Sequence, residues 1–340
     1  MSSSNLSIGI VGLPNVGKST LFKILTKQEV NIANYPFATI DPNIGVVPVP
    51  DERLQKLAKL SNSKKIIPAV VKFYDIAGLV KGANKGEGLG NQFLSHIRET
   101  DAIVEVVRCF QSSEIIHVEN RVDPIGDIET INTELILKDL ETAEKRLSKL
   151  EAEARGDKKK VKDFELLRKI KADLDKGIIV VNQKEILADF KESVLFKELG
   201  LLTAKPQIYL LNGSEFDVSE GLKNKIKSLG ADYLIMDLAN TENVNELIKK
   251  AYFVLNLISF LTTGEDETRA WTIEKGAKAP QAAGVIHTDF ENKFIRAEVI
   301  NWQKLLDLGG WSQAKQKGLL RLEGKDYVVQ DGDVMVVRHG

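Results

Sequence analysis

Short unbroken apolar runs punctuate the first part of the chain: Ser7-Ile8-Gly9-Ile10-Val11, then 69–74 ending at Asp75, then Ile103 to Val107, and later Gln207 to Leu211. Runs of this length, bounded by glycine or polar residues, predict strands buried on both faces of a parallel sheet. Polar or glycine-rich residues follow each run, as at the ligand-facing strand ends of a doubly wound α/β fold. Between the third and fourth runs the period changes. From Ile136 through Leu140, Ala143, Leu147 and Leu150 to Ala154, apolar residues recur at spacings of four and three, which is a coiled-coil seam. Arg155-Gly156-Asp157 interrupts it, and Val161, Phe164, Leu167, Ile170 and Leu174 resume a helical stripe. An antiparallel helical hairpin inserted into the α/β domain is predicted, with Lys158-Lys159-Lys160 at its tip as a solvated turn or a contact for RNA phosphates.

A helix is expected to end near Phe260, with a linker over 262–266. Strand-rich texture follows at 269–273 and 294–299, and 326–329 reads as a hairpin with 334–337 around Asp331-Gly332. At 340 residues the chain is long enough for two or three domains. Its 43% hydrophobic and 28% charged residues are the balance of a globular protein. The net charge of -1 supplies no global field for nucleic acid or acidic membranes, so polyanion binding has to come from local patches. Cys109 is the one cysteine, expected as a buried, inert thiol in a reducing compartment. The first residues carry no signal-peptide or membrane-span pattern, so a cytoplasmic protein without membrane attachment is expected.

Gly12-Leu13-Pro14-Asn15-Val16-Gly17-Lys18-Ser19 matches G-x-x-x-x-G-K-[ST] at every fixed position, with a strand before it and Leu21, Phe22, Ile24 and Leu25 opening a helix after it. Strand, loop and helix in that order converge backbone N–H groups and a helix N-terminus on phosphate oxygens. Lys18 is expected to neutralise the β and γ phosphates and Ser19 to hold Mg²⁺. Asp75-Ile76-Ala77-Gly78 closes the second strand, placing a carboxylate for Mg²⁺ and the Gly78 N–H for the γ-phosphate. Thr39, in a polar loop, is positioned to complete the Mg²⁺ shell, which makes 32–43 a first switch. Gly82, Gly86, Gly88 and Gly90 give the segment after Gly78 the backbone freedom of a second.

A guanine-selective site ends in Asn-Lys-x-Asp, whose aspartate accepts from both N1–H and the exocyclic amine. Here the fourth strand ends in Asn212-Gly213-Ser214-Glu215: the aspartate is a glutamate and the lysine is missing. Adenine has no N1–H or 2-amino group, whereas the Asn212 amide can bond its N7 and N6. ATP is therefore expected to bind more tightly than GTP.

Together these residues resemble the YchF subfamily of Obg-like NTPases, through Gly12 to Thr20, Pro36 to Asn43, Asp75 to Asn91, Asn212 to Glu215, 269–273 and 280–284. The resemblance implies a P-loop NTPase G domain at 1–130 and 203–260, an inserted helical coiled-coil domain at 131–202, and a C-terminal β-grasp (TGS) domain at 263–340. It implies nucleotide contacts from Asn15, Val16, Gly17, Lys18, Ser19, Thr20, Gly78, Asn212, Gly213, Glu215 and Ala239. The metal ligands would be Ser19, Thr39 and Asp75, and the partner the ribosome or ribosomal RNA. The stretch from Glu215 to Tyr252 is shorter than usual for that subfamily.

Ras-like switches orient the attacking water with a glutamine after Asp-x-x-Gly, where this chain has Leu79. A slow unassisted rate follows. His117 resembles a histidine suspected of that task in the family, and flanked by Ile115, Ile116 and Val118 it also fits a core position. Asn15 either coordinates K⁺ beside the phosphates, as in some relatives, or simply shapes the loop. The expected activity is a Mg²⁺-dependent ATP-hydrolysing switch. A GTPase with relaxed base selection and a non-catalytic, nucleotide-gated binding module remain as alternatives, and a monomer is the default state.

Overall fold

The computed structural model describes residues 7–27, 43–76, 91–111 and 122–340. Its first part runs β1 (Ser7–Val11), α1 (Lys18–Thr26), β2 (Ile44–Pro48), α2 (Glu52–Ser61), β3 (Lys65–Ile67), β4 (Val70–Asp75), α3 (Asn91–Arg98) and β5 (Ala102–Arg108). Then come α4 (Pro124–Ala154), α5 (Lys158–Leu174), α6 (Lys184–Glu192) and α7 (Val194–Leu199), followed by β6 (Gln207–Asn212), α8 (Glu220–Ser228), β7 (Asp232–Met236) and α9 (Asn245–Val254). Among the described residues the first sheet has the order β2-β4-β1-β5-β6-β7, parallel except for the edge strand β2. Every residue of β1, β5 and β6 is buried, as their unbroken apolar runs require. β1 lies between β4 and β5 and runs parallel to both, so the carboxyl ends of these strands share one edge of the sheet.

α4 begins at Pro124, earlier than the apolar seam alone indicates, because Asp123 caps it by accepting from the Gly126 N–H at 3.1 Å and proline occupies the first turn. Its first half packs Ile131 and Leu135 under the sheet. Its second half packs Ile136, Ala143 and Leu150 against Leu167, Ile170 and Leu174 of α5. None of the helices among the described residues is long and apolar enough to cross a membrane.

The remaining elements are β8 (Leu257–Thr263), β9 (Glu267–Glu274), α10 (Ala279–Ile286), α11 (Thr288–Asn292), β10 (Phe294–Asn301), α12 (Trp302–Leu308), α13 (Trp311–Gln316), β11 (Arg321–Glu323) and β12 (Asp333–His339). They form a second sheet of order β11-β10-β12-β8-β9-β3. Two sequence expectations are corrected here. The helix expected to reach Phe260 stops at Val254, Asn256 turns the chain with φ 55°, and residues 257–263 are strand β8, paired antiparallel with β9, so that only 264–266 of the expected linker remain as a turn. The expected hairpin around Asp331-Gly332 does not form. β12 pairs instead with β10 and β8, while Tyr327 and Val329 bond the backbone around Ala277 and Ala279. The Asp333 carboxylate stabilises that arrangement, accepting from Tyr327 Oη at 2.6 Å and from the Gln330 N–H at 2.9 Å.

The two sheets share structure. β3, from the first part of the chain, pairs parallel with β9, and Ser63 Oγ reaches the Gly264 carbonyl at 2.6 Å. Arg53 on α2 bridges Asp51 at 2.8 Å and Asp331 at 2.7 Å.

Candidate functional site

β1 ends at Val11 and the chain turns through Gly12 at φ 147°, Asn15 at φ 63° and Gly17 at φ 110° before α1 starts at Lys18. Glycine is required at both ends of this loop for space as well as conformation. A Cβ on Gly12 would lie 2.5 Å from the Val106 carbonyl oxygen, and one on Gly17 would lie 2.5 Å from Asn212 Nδ2. Asn15 takes a left-handed conformation that asparagine tolerates better than most residues. The first turn of α1 leaves N–H groups without intrahelical acceptors beside the positive end of the helix dipole, which suits an anion.

Lys18 lies over this loop, almost fully buried, and its ammonium donates to the Leu13 carbonyl. Burial lowers its pKa to about 8, against the opposing pull of the Asp75 charge. Asp75 is itself buried, at the last position of β4. Ser19 and Thr20 are exposed in the first turn of α1. A serine hydroxyl and a carboxylate are hard oxygen donors of the kind Mg²⁺ takes, with phosphate oxygens and water completing its shell. Among the described residues there is no cluster of three or more His, Cys, Asp or Glu.

On the other side of the loop Asn212 closes β6. Its Nδ2 donates to the Val16 carbonyl at 2.8 Å and its Oδ1 accepts from the Leu238 N–H at 3.1 Å. The side chain therefore straps the loop to the turn after β7, and one amide N–H and one oxygen lone pair remain beyond these two bonds. Gly213 follows at φ 159°, with its N–H on the Met236 carbonyl at 3.2 Å. Glu215 is exposed on a short turn braced by Asp217, which accepts from Ser214 N and Oγ at 2.8 and 2.7 Å. Lys223, not singled out from the sequence, stands 3.6 Å from the Glu215 carboxylate. Ala239 is exposed in a turn held by Asp237, whose carboxylate accepts its N–H at 3.0 Å. Cys109 is buried just past β5, its thiol pushed up to about 12 by burial and then by the Asp217 and Asp127 charges. Asn15, Val16, Gly17, Lys18, Ser19, Thr20, Asp75, Asn212, Gly213, Glu215 and Ala239 thus all stand at the carboxyl edge of one sheet, on strand ends, on the turns that follow them or in the first turn of α1. Thr39, Gly78, Leu79 and His117 lie outside the described residues.

Residues 7–144 match the family model described as a 50S ribosome-binding GTPase, and residues 257–340 match the YchF-GTPase C-terminal model, described as a protein of unknown function (DUF933). The chain is 48% identical to the ribosome-binding ATPase YchF of Bacillus subtilis, over 98% of this chain and 99% of that protein. This chain belongs to the YchF family. It is 45% identical to the Haemophilus influenzae YchF, over 97% of this chain and 98% of the relative, which is also named a ribosome-binding ATPase. Among solved structures, the Schizosaccharomyces pombe YchF GTPase superposes with a TM-score of 0.85 at 40% identity, over 98% of each chain. The α/β P-loop architecture expected from the sequence is thereby shown.

Proposed function

We propose that this YchF-family chain is a ribosome-associated, Mg²⁺-dependent ATPase that works in the cytoplasm as a switch. One observation carries the reading: a glycine-bounded loop leads into a helix whose first residue, Lys18, is a desolvated cation within the field of the Asp75 carboxylate. That ammonium gains from a triphosphate what burial costs it. Ser19 and Asp75 would hold Mg²⁺, with Thr39 and the Gly78 N–H completing the site, and the metal would neutralise charge on the β- and γ-phosphate oxygens. Lys18 and the α1 N–H groups orient the phosphates, and Asn212 fixes the loop they rest on. Water positioning falls to His117, because Leu79 has no hydrogen-bonding group, or is assisted by K⁺ beside Asn15.

Base selection rests on Glu215 and Asn212. The carboxylate of Glu215 accepts from an exocyclic adenine amine, and Lys223 at 3.6 Å keeps company with its charge. The names of the bacterial relatives support ATP. The Schizosaccharomyces pombe relative is named a GTPase, which favours GTP hydrolysis as the second reading. The helices at 131–202 are read as an inserted arm of the NTPase domain, and the second sheet, from Leu257 onward, as the TGS-type domain. Titrating the purified protein with ATP and GTP in the presence of Mg²⁺ tests the choice: ATP is expected to bind at least tenfold more tightly, and tighter GTP binding would overturn it. Turnover measured with and without ribosomes, in KCl and in NaCl, assigns the activator; absence of stimulation by ribosomes would refute the ribosome-linked switch.

A further inference from the structure

Where the end of α3 meets the middle of α4, Arg98, Lys138, Lys145, Arg146 and Lys149 line a groove of about 260 Å³. Successive helix residues are about 100° apart, so Lys138, Lys145 and Lys149 fall within about 20° of one line along α4, over roughly 16 Å. The one carboxylate in the groove, Glu141, is bonded by Lys138 at 2.6 Å and Lys145 at 2.5 Å, which draws its pKa down to about 2. Arg146 is matched from outside the groove by Glu153 and Glu198. Arg98 crosses from α3 and donates to Thr142 Oγ1 at 3.1 Å, which sets its guanidinium against the lysine row. Arg98 and Lys149 form none of the salt bridges described for this groove, although the Asp139 and Glu153 carboxylates lie close enough to feel their charges. On a chain of net charge -1, five cations against the three carboxylates that pair with them make a local excess of positive charge.

We propose that this groove binds the phosphate backbone of RNA, an inference that rests on the ribosome-associated reading above. A straight row of flexible ammonium groups with a guanidinium beside it matches a chain of phosphates, which needs charge at intervals and little shape. The lining holds no aromatic or aliphatic residue, whereas protein partners anchor through buried aromatic and apolar contacts. The position also matters. α3 is the first described element after residues 77–90, which follow the phosphate-site carboxylate Asp75, so RNA in the groove touches the helix leading away from the nucleotide.

Anisotropy of a short fluorescein-labelled RNA duplex, titrated with the full chain at several salt concentrations, tests this. Replacing both Lys145→Ala and Lys149→Ala is expected to weaken binding roughly 10- to 30-fold at about 0.15 M salt and to lower the logarithmic salt slope by about two. The Lys145→Arg and Lys149→Arg pair retains affinity, and Lys158→Ala with Lys162→Ala, on the exposed face of α5, changes it less than about twofold. Unchanged binding in the groove variant, or an equal loss in the α5 variant, overturns the proposal. So does displacement of ribosomes from the groove by polyglutamate with no RNA affinity, which would assign the surface to an acidic protein. ATP turnover of the same samples is read separately: a wild-type chain that binds RNA through the groove but never hydrolyses ATP refutes the switch and leaves the groove standing.

Discussion

Burial of Lys18 makes the phosphate loop pH-sensitive. Its folded pKa of about 8 lies below the ordinary lysine value of 10.5, so between these values the unfolded chain holds a proton that the folded chain has lost. Stability contributed by this group therefore rises as pH increases through that window, and is flat below it. ATP affinity should move the opposite way, falling above pH 8 as the ammonium deprotonates. Thermal melts and ATP titrations across that range, compared with Lys18→Met, check both directions; the variant should lose the rise in stability and most nucleotide binding. Asn212→Ala belongs to the same scale. It strands the Val16 carbonyl and the Leu238 N–H, costing about 1–3 kcal/mol and weakening ATP and GTP alike, measurable by denaturant titration and equilibrium binding. The glycines and Lys18 were legible in the sequence because a phosphate loop demands them at fixed spacing. The double use of Asn212 was not, since it depends on two backbone groups brought together only by strand order.

At the level of elements, Asp139 shows how α4 is fixed to the chain that returns to the sheet. Its buried carboxylate accepts from the Leu202 and Thr203 N–H groups at 2.8 Å each and from Thr203 Oγ1 at 2.7 Å. Asp139→Ala should cost about 3 kcal/mol and raise amide exchange first around 202–204, as read by hydrogen exchange. The heptad-like seam of α4 could be read from spacing alone, because its period is distinctive. β8 could not: Leu257-Ile258-Ser259-Phe260-Leu261 continues the apolar texture of α9, and a short apolar run fits helix or buried strand equally. The Asp331-Gly332 turn misled for a related reason. Gly332 does take φ 81°, but its N–H goes to the Ser259 carbonyl, so the turn leads β12 into the sheet beside β8 rather than back along 326–329.

For the whole molecule, Arg53 and β3 make the two sheets interdependent. Arg53→Ala removes the bridge between Asp51 and Asp331 and should lower stability by about 1–3 kcal/mol while leaving a single calorimetric transition, because β3 and β9 still couple the sheets. Two separated transitions in the variant would show that the bridge alone joins them. The loan of β3 to the far sheet could not be foreseen from Lys65-Ile66-Ile67, which is too short to name its partner. It has a cost during biosynthesis. The partner residues Glu267 to Arg269 emerge roughly 200 codons after β3, a delay of about 10–40 s at ordinary elongation rates. For that interval the nascent chain carries an unclaimed strand edge that must be shielded from neighbours, so slowing translation ahead of codon 267 should raise aggregation of this protein more than slowing it afterwards.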